Sequence, residues 1–214
     1  MPPRTEISWF KSSYIYDKKI FKAYQVKIIK TKFKNLIYFE DHVYKDNRGN
    51  LKELFNKEKI NKNFIFEFVS LSKKNVIRGL HFQIKKPQAK FISVVSGKIF
   101  DVVIDLRKNS KTFGKKFEII LDSRKNISLY IPEGFAHGFK SLENNSIMLY
   151  ACNNKRYPKF ENGIIWNDKQ LKINWPNKNK NITSSKDRKN ITFKEYKLEN
   201  TFWNKYYSYK NQAE

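Results

Sequence analysis

The chain holds three histidines and one cysteine among 214 residues, so each of these side chains can be weighed on its own neighbours. His81 sits in VIRGLHFQ, directly after an Arg-Gly pair. Gly79 relaxes the backbone there, which lets Arg78 and His81 point into one cavity. A guanidinium can hold an anionic group while an imidazole, whose unperturbed pKa is near neutrality, moves a proton. His137 sits in IPEGFAHGF, where Pro132, Gly134 and Gly138 mark a tight turn. His42, in FEDHVYKD, reads as structural or solvated. Taken alone, each is more often a satisfied buried imidazole than a catalyst. Cys152 reads as a small buried apolar residue, because no partner base accompanies it. One cysteine allows no intrachain disulfide and no paired zinc ligand, which fits a reducing compartment.

The elements that must position these groups read as strands. From Val26 onward, short β-branched and aromatic runs alternate with turn signals. VKIIKT, NLIYFE, FEIILD, NISLYIP and SIMLYAC recur at similar spacing, and DNRGN supplies a turn at Asp46–Asn50. LKELFNKEKI suggests a strand edge followed by a short helical turn. In NFIFEFVSLS, Phe64, Phe66, Phe68 and Ser70 share one face. Ser96–Gly97 lies between KFISVV and KIFDVVIDLR and predicts a hairpin. With no long stretch of helical period, the pattern is all-β and predicts a jelly roll or small barrel. Three segments follow: an extension over residues 1–25, a domain over 26–199 and an aromatic tail over 200–214.

Composition bounds the function. Hydrophobic residues make up 40% and aromatics 16%, enough for a substantial core, so wholesale disorder is excluded. Lys+Arg 44 against Asp+Glu 20 gives a formal charge of +24, which points to an anionic partner or a phosphorylated ligand. The lysines are scattered, and no helix-turn-helix, zinc or RNP-like motif accompanies them. A nucleic-acid-binding protein is therefore the less favoured alternative. The first residues have no apolar core with a cleavage site, and no apolar run reaches the roughly 18 to 20 residues that span a bilayer. A cytoplasmic protein without membrane contact is expected.

The segment P-x-G-x-x-H resembles the second motif of the cupins. Their metal-binding members carry H-x-H in the first motif, where this chain has His81-Phe82-Gln83. Two scattered histidines do not make a metal site, so no metal and no cofactor is expected. The ordered blocks DNRGNLKELF, VIRGLHFQ, PQAK, SGKIFDVVIDLRKNSKTFG, YIPEGFAHGF, PKFENGIIWND and TSSKD together resemble the dTDP-4-dehydrorhamnose 3,5-epimerase family, over roughly residues 26–190.

That resemblance implies a metal-independent cupin jelly roll, a double-stranded β-helix with short peripheral helices. It implies epimerisation at C3, C5 or both of a nucleotide-linked 4-keto-6-deoxy sugar, in deoxysugar and cell-surface polysaccharide (O-antigen) biosynthesis. A ketone at C4 acidifies the protons on C3 and C5; a base removes one, an enolate forms, and an acid returns a proton to the opposite face. By resemblance His81 is the base, Asp187 its orienting carboxylate, Lys90 the enolate-stabilising cation and Tyr150 the acid. Tyr150 shares a strand face with Met148 and Cys152, so it points inward. The resemblance also gives Arg78 a diphosphate, His137 and Glu161 the sugar, and Tyr157 the base. Arg48 and Glu53 would reach the ligand near the interface of a homodimer with exchanged N-terminal strands.

One place departs from the family. Its members carry Gln-x-Asn-x-Ser before the RGLH block, whereas this chain has Phe66-Glu67-Phe68-Val69-Ser70. Two polar ligand contacts become apolar wall at Phe66 and Phe68. A slip of one residue would turn the whole phenylalanine set to the opposite face, so the register is expected to hold. The departure leaves the chemistry in place and bears on which sugar is taken. A cupin that binds a nucleotide-sugar without turnover is the alternative.

Overall fold

The computed structural model describes residues 26–55, 59–60, 62–177 and 180–198. The expected extension over 1–25 and aromatic tail over 200–214 lie outside the described residues. In chain order the strands begin with β1 (Lys27–Lys30), β2 (Ile37–Asp41), β3 (Val43–Asp46) and β4 (Gly49–Lys52). They continue with β5 (Phe66–Ser72), β6 (Ile77–Gln83), β7 (Lys90–Ser96), β8 (Lys98–Asp105) and β9 (Lys116–Asp122). Last come β10 (Asn126–Ile131), β11 (Phe135–Ser141), β12 (Ser146–Cys152) and β13 (Glu161–Gly163). The helical elements are short: a 3-10 turn at Pro158–Phe160, α1 (Ser185–Arg188) and a helical stretch over 193–198. Among the described residues, no helix is long and apolar enough to cross a membrane.

Two antiparallel sheets face each other. One has the order β1-β2-β10-β7-β12-β5 and the other β13-β6-β11-β8-β9, while β3 and β4 form a separate ribbon. Alternation along each strand sends one set of side chains inward. Ile92, Val94, Leu129, Ile131 and Met148 from the first sheet meet Ile99, Val103, Leu121, Phe135 and Phe139 from the second. Each such fully buried side chain contributes about 1.5–3 kcal/mol of apolar transfer. The aromatic-rich composition fills two further layers. Leu171, Ile173, Trp175 and Phe193 cover the outer face of the β6–β11–β8 region, and Phe55, Ile60 and Phe64 cover Phe39, Phe91 and Tyr130 on the other sheet. Both sheets are thus buried on two faces over much of their area, which is why strict alternation fades in β8, β10 and β11.

Three local expectations change. The Ser96–Gly97 segment does not close a hairpin: β7 and β8 belong to different sheets. Gly97, at φ +77°, turns the chain across the sandwich, and a Cβ there would meet Ser146 Oγ at 2.5 Å. Two strand-like runs around a glycine give the same local signal whether the chain folds back or turns a corner. IPEGFAHGF is a turn only as far as Gly134; FAHGFKS is the fully buried strand β11. Its small residues have low strand preference, yet they permit close approach. Gly138 faces Gly79 on β6, where an added Cβ at Gly79 would lie 2.5 Å from the Gly138 Cα. Phe64 precedes β5 and packs edge-on against Phe55 in the outer layer, away from Phe66 and Phe68.

Candidate active site

Strands from both sheets open into one cleft of about 790 Å³. Phe66, Phe68 and Ser70 of β5, Tyr150 of β12 and Lys90 of β7 line one side. Arg78 and His81 of β6, with His137 and Phe139 of β11, line the other. Thr183 to Asp187, apart from Ser185, contribute a third wall together with Arg156 and Glu161.

His81 Nε2 lies 2.7 Å from Asp187 Oδ1, joining residues from opposite ends of the domain. The carboxylate is placed locally: Ser184 Oγ accepts the Asp187 backbone N–H at 3.0 Å and so caps α1, while Gly79 N–H reaches Oδ2 at 3.4 Å. Burial alone would raise the Asp187 carboxyl; the hydrogen bonds from His81, Gly79 and Ser184 outweigh it and hold the group below its ordinary value. An ionised Asp187 fixes the proton of neutral His81 on Nε2, leaving the Nδ1 lone pair as the proton acceptor. The imidazole is 39% exposed and its carboxylate only 5%, so the ring is open to the cleft while the carboxylate lies mostly behind it.

His137 is the direct cross-strand partner of His81 in the β6–β11 ladder. Its Nε2 lies 2.7 Å from Asp101 Oδ2 on β8, and both side chains are buried. Two imidazole–carboxylate pairs therefore stand side by side, their rings on adjacent strands of one sheet. Facing them, Tyr150 is paired in register with Phe68 and Ile92, and its ring meets His137 edge-on at 6.1 Å. Burial holds the Tyr150 phenol well above its ordinary value, so it keeps its proton at neutral pH. Burial pulls the Lys90 ammonium below its ordinary value, offset in part by Cys152, Glu161 and Asp101. A desolvated ammonium interacts strongly with any negative charge that develops beside it.

Phosphate-binding capacity comes from Arg78, Arg156 and Lys186 at the cleft. Arg78 is exposed and held by Ser72 Oγ and the Leu71 carbonyl, both at 3.1 Å. Arg156 and Lys186 both bond Glu161, whose carboxyl falls to about 2, chiefly through Arg156 and further through Lys186. The cleft thus gathers His81, Asp187, Lys90, Tyr150, Arg78, His137, Glu161, Phe66 and Phe68. Arg48, Glu53 and Tyr157 lie outside its lining. Arg48 pairs with Asp46 at the tip of the β3–β4 ribbon, Glu53 pairs with Lys59, and Tyr157 packs near Phe160 under the Lys86 ammonium. Asp101, Arg156, Lys186 and Ser184 were not singled out by sequence reasoning. For Asp101 a signal exists: a lone carboxylate within the apolar run IFDVVI needs a buried partner. Cys152 is buried, its thiol pushed up to about 11 by desolvation. Among the described residues, no group of three or more His, Cys, Asp or Glu is placed to hold a metal.

Two facing antiparallel sheets around a cleft with an imidazole–carboxylate pair, a half-buried lysine and a protonated tyrosine are those of a cupin-type jelly-roll isomerase. The sequence model for dTDP-4-dehydrorhamnose 3,5-epimerase matches residues 30–195, and the chain belongs to that family. It is 40% identical over 157 residues to the dTDP-4-dehydrorhamnose 3,5-epimerase of Methanothermobacter thermautotrophicus, covering 71% of this chain and 85% of that one. It superposes with a TM-score of 0.75 and 35% identity on the Legionella pneumophila dTDP-6-deoxy-D-glucose-3,5-epimerase in complex with dTDP-4-keto-L-rhamnose, covering 78% and 93% of the two chains. A 3'-monoepimerase from Streptomyces bikiniensis in complex with dTDP-quinovose matches with a TM-score of 0.71 and 27% identity, covering 76% and 85%.

Proposed function

We propose that this protein epimerises a dTDP-linked 4-keto-6-deoxy sugar at C3, C5 or both, without a metal. The observation that carries the reading is the His81–Asp187 pair opening into the same cleft as Lys90 and Tyr150. His81 Nδ1 takes the proton adjacent to the ketone. Asp187 keeps the ring in the required tautomer and stabilises the imidazolium that forms. The Lys90 ammonium faces the enolate oxygen, and Tyr150 supplies a proton from the opposite sheet. Arg78 holds the diphosphate, His137 and Glu161 hold the sugar, and Tyr157 stacks on the base. Arg48 and Glu53 act at the interface of a homodimer with exchanged N-terminal strands. The product feeds cell-surface polysaccharide synthesis such as O-antigen, and the enzyme works in the cytoplasm.

Phe66 and Phe68 favour a narrower form of this reading, in which one carbon is inverted. Their rings line the wall where family members carry amides, and the similarity to a 3'-monoepimerase is compatible with it. Proton NMR in deuterated water, following loss of the C3 and C5 signals of dTDP-4-keto sugars, separates the cases. Exchange at one carbon supports single inversion, and exchange at both supports the double reaction. Failure of exchange at either carbon with every candidate sugar overturns the catalytic reading.

A further inference from the structure

Lys140 ends the inner part of β11 facing away from the cleft, and its side chain has no exposed surface. Among the described residues, no carboxylate pairs with it. Its three N–H groups reach four oxygens, one of them shared between two acceptors: the carbonyls of Pro176 at 2.5 Å, Asn177 at 3.0 Å and Lys180 at 3.1 Å, and Asn181 Oδ1 at 2.7 Å. A buried charge is tolerated only where hydrogen bonds replace its hydration shell, so this cluster is specific rather than incidental. A neutral polar residue would hold one or two of these carbonyls; the ammonium gathers all four onto one point.

The segment so gathered leads into the site. Directly after Asn181, Ile182 bridges the start of β6: its N–H donates to the Asn75 carbonyl at 2.9 Å, and its carbonyl accepts the Ile77 N–H at 2.8 Å. Ser184 then caps α1, and Asp187, one turn in, meets His81. Between the Trp175 anchor on Phe100 and the Ile182 bridge, Lys140 is the described side chain that ties this connector to the five-stranded sheet at several points. We infer that Lys140 is a positioning residue, whose buried ammonium fixes Pro176, Asn177, Lys180 and Asn181 and thereby sets Asp187 against His81.

The test reads the histidine pair directly. The chain has three histidines, so their ring NMR signals can be assigned by substitution. Lys140→Met keeps the bulk and removes the charge; Asn181→Ala removes one of the four acceptors. In Lys140→Met the His81 signals are expected to move most of the way to those of Asp187→Asn, with His137, held by Asp101, unmoved. Methylammonium added to Lys140→Ala, where it can occupy the vacated oxygens, restores the wild-type His81 signals. The kinetic readout rests on the proposed epimerase reading: kcat falls about tenfold to a hundredfold while KM stays within about twofold. His81 signals unchanged in folded Lys140→Met, or His81 and His137 moving together with a general loss of stability, overturn the inference. If Lys140→Met does not fold, Asn181→Ala decides, since unchanged His81 signals there overturn it equally. A wild-type chain that exchanges no sugar proton would defeat the epimerase reading while leaving the ring-signal readout intact.

Discussion

Phe68 lies flat against Tyr150, with ring centroids 4.4 Å apart and planes 9° from parallel. Phe66 leans on Phe68 in turn, at 5.5 Å. One face of the tyrosine is thereby sealed from water, and burial keeps its phenol protonated. An aromatic surface replaces the hydrogen-bonding groups that an amide pair would offer to a sugar hydroxyl. Replacing Phe68 by Asn restores a polar partner at that wall. It is expected to shift the ratio of kcat/KM between two 4-keto sugars differing at one hydroxyl by about tenfold or more. Parallel kinetics with the two sugars check this, and a ratio within twofold of wild type counts against a role in selectivity.

His81→Asn removes the imidazole and preserves a hydrogen-bonding side chain beside Asp187. Proton exchange into substrate should fall by about 10²–10⁴-fold, with dTDP binding within about threefold of wild type. Calorimetric titration with dTDP, run beside the deuterium-exchange assay, separates lost chemistry from lost binding.

Glu161 titrates at about 2 rather than its ordinary 4.5, held down first by Arg156 and then by Lys186. A carboxyl lowered on folding stabilises the fold above its unfolded pKa, and that contribution disappears as pH falls through the folded value. Because both cations are largely exposed, Glu161→Gln should lower Tm by no more than about 2–4 °C at pH 7. The difference should shrink between pH 4.5 and pH 2. Thermal melts across that window check the sign; a difference that grows on acidification contradicts it.

Cys152 is fully buried and its thiol is displaced to about 11. The native protein should therefore react negligibly with a disulfide reagent at pH 8 over minutes, and should release one equivalent after denaturation. Absorbance of the released thiolate gives both values.

Gly138→Ala would place a Cβ 2.7 Å from the Arg78 carbonyl and 2.8 Å from Leu80. Since both contacts lie in the β6–β11 ladder, the strands must separate, at a cost of about 1–3 kcal/mol. Urea unfolding measures the loss. The same variant should slow proton exchange, because His81 and His137 ride on those two strands.

The all-β class and the jelly roll were legible in the sequence, because strand-length apolar runs recur between turn residues. That Arg78, His81, Lys90 and Tyr150 would share one cleft was legible too, through the resemblance of the short motifs that carry them. Phe66, Phe68 and Ser70 share the cleft wall on β5, as their spacing of two predicts. What failed was long-range information. Gly97 looks the same in a hairpin and in a corner between sheets. FAHGF looks like a turn until Gly79 is brought opposite Gly138. Lys140 is defined by partners 36 to 41 residues away, and Asp101 by a histidine 36 residues away that its apolar surroundings do not name.

The corner at Gly97 also bears on how the molecule comes into being. Because β7 and β8 part company there, within the two large sheets only β1–β2 and β8–β9 join neighbours in the chain; the other pairings connect distant segments. Loop closure must precede most of the stabilising contacts, so folding should be slow for this length, in the millisecond-to-second range or longer. The cleft draws on β5, β6, β7, β11, β12, β13 and α1 with the residues before it, so no partly folded intermediate carries it whole. Recovery of nucleotide binding during refolding should accordingly lag behind the recovery of strand signal.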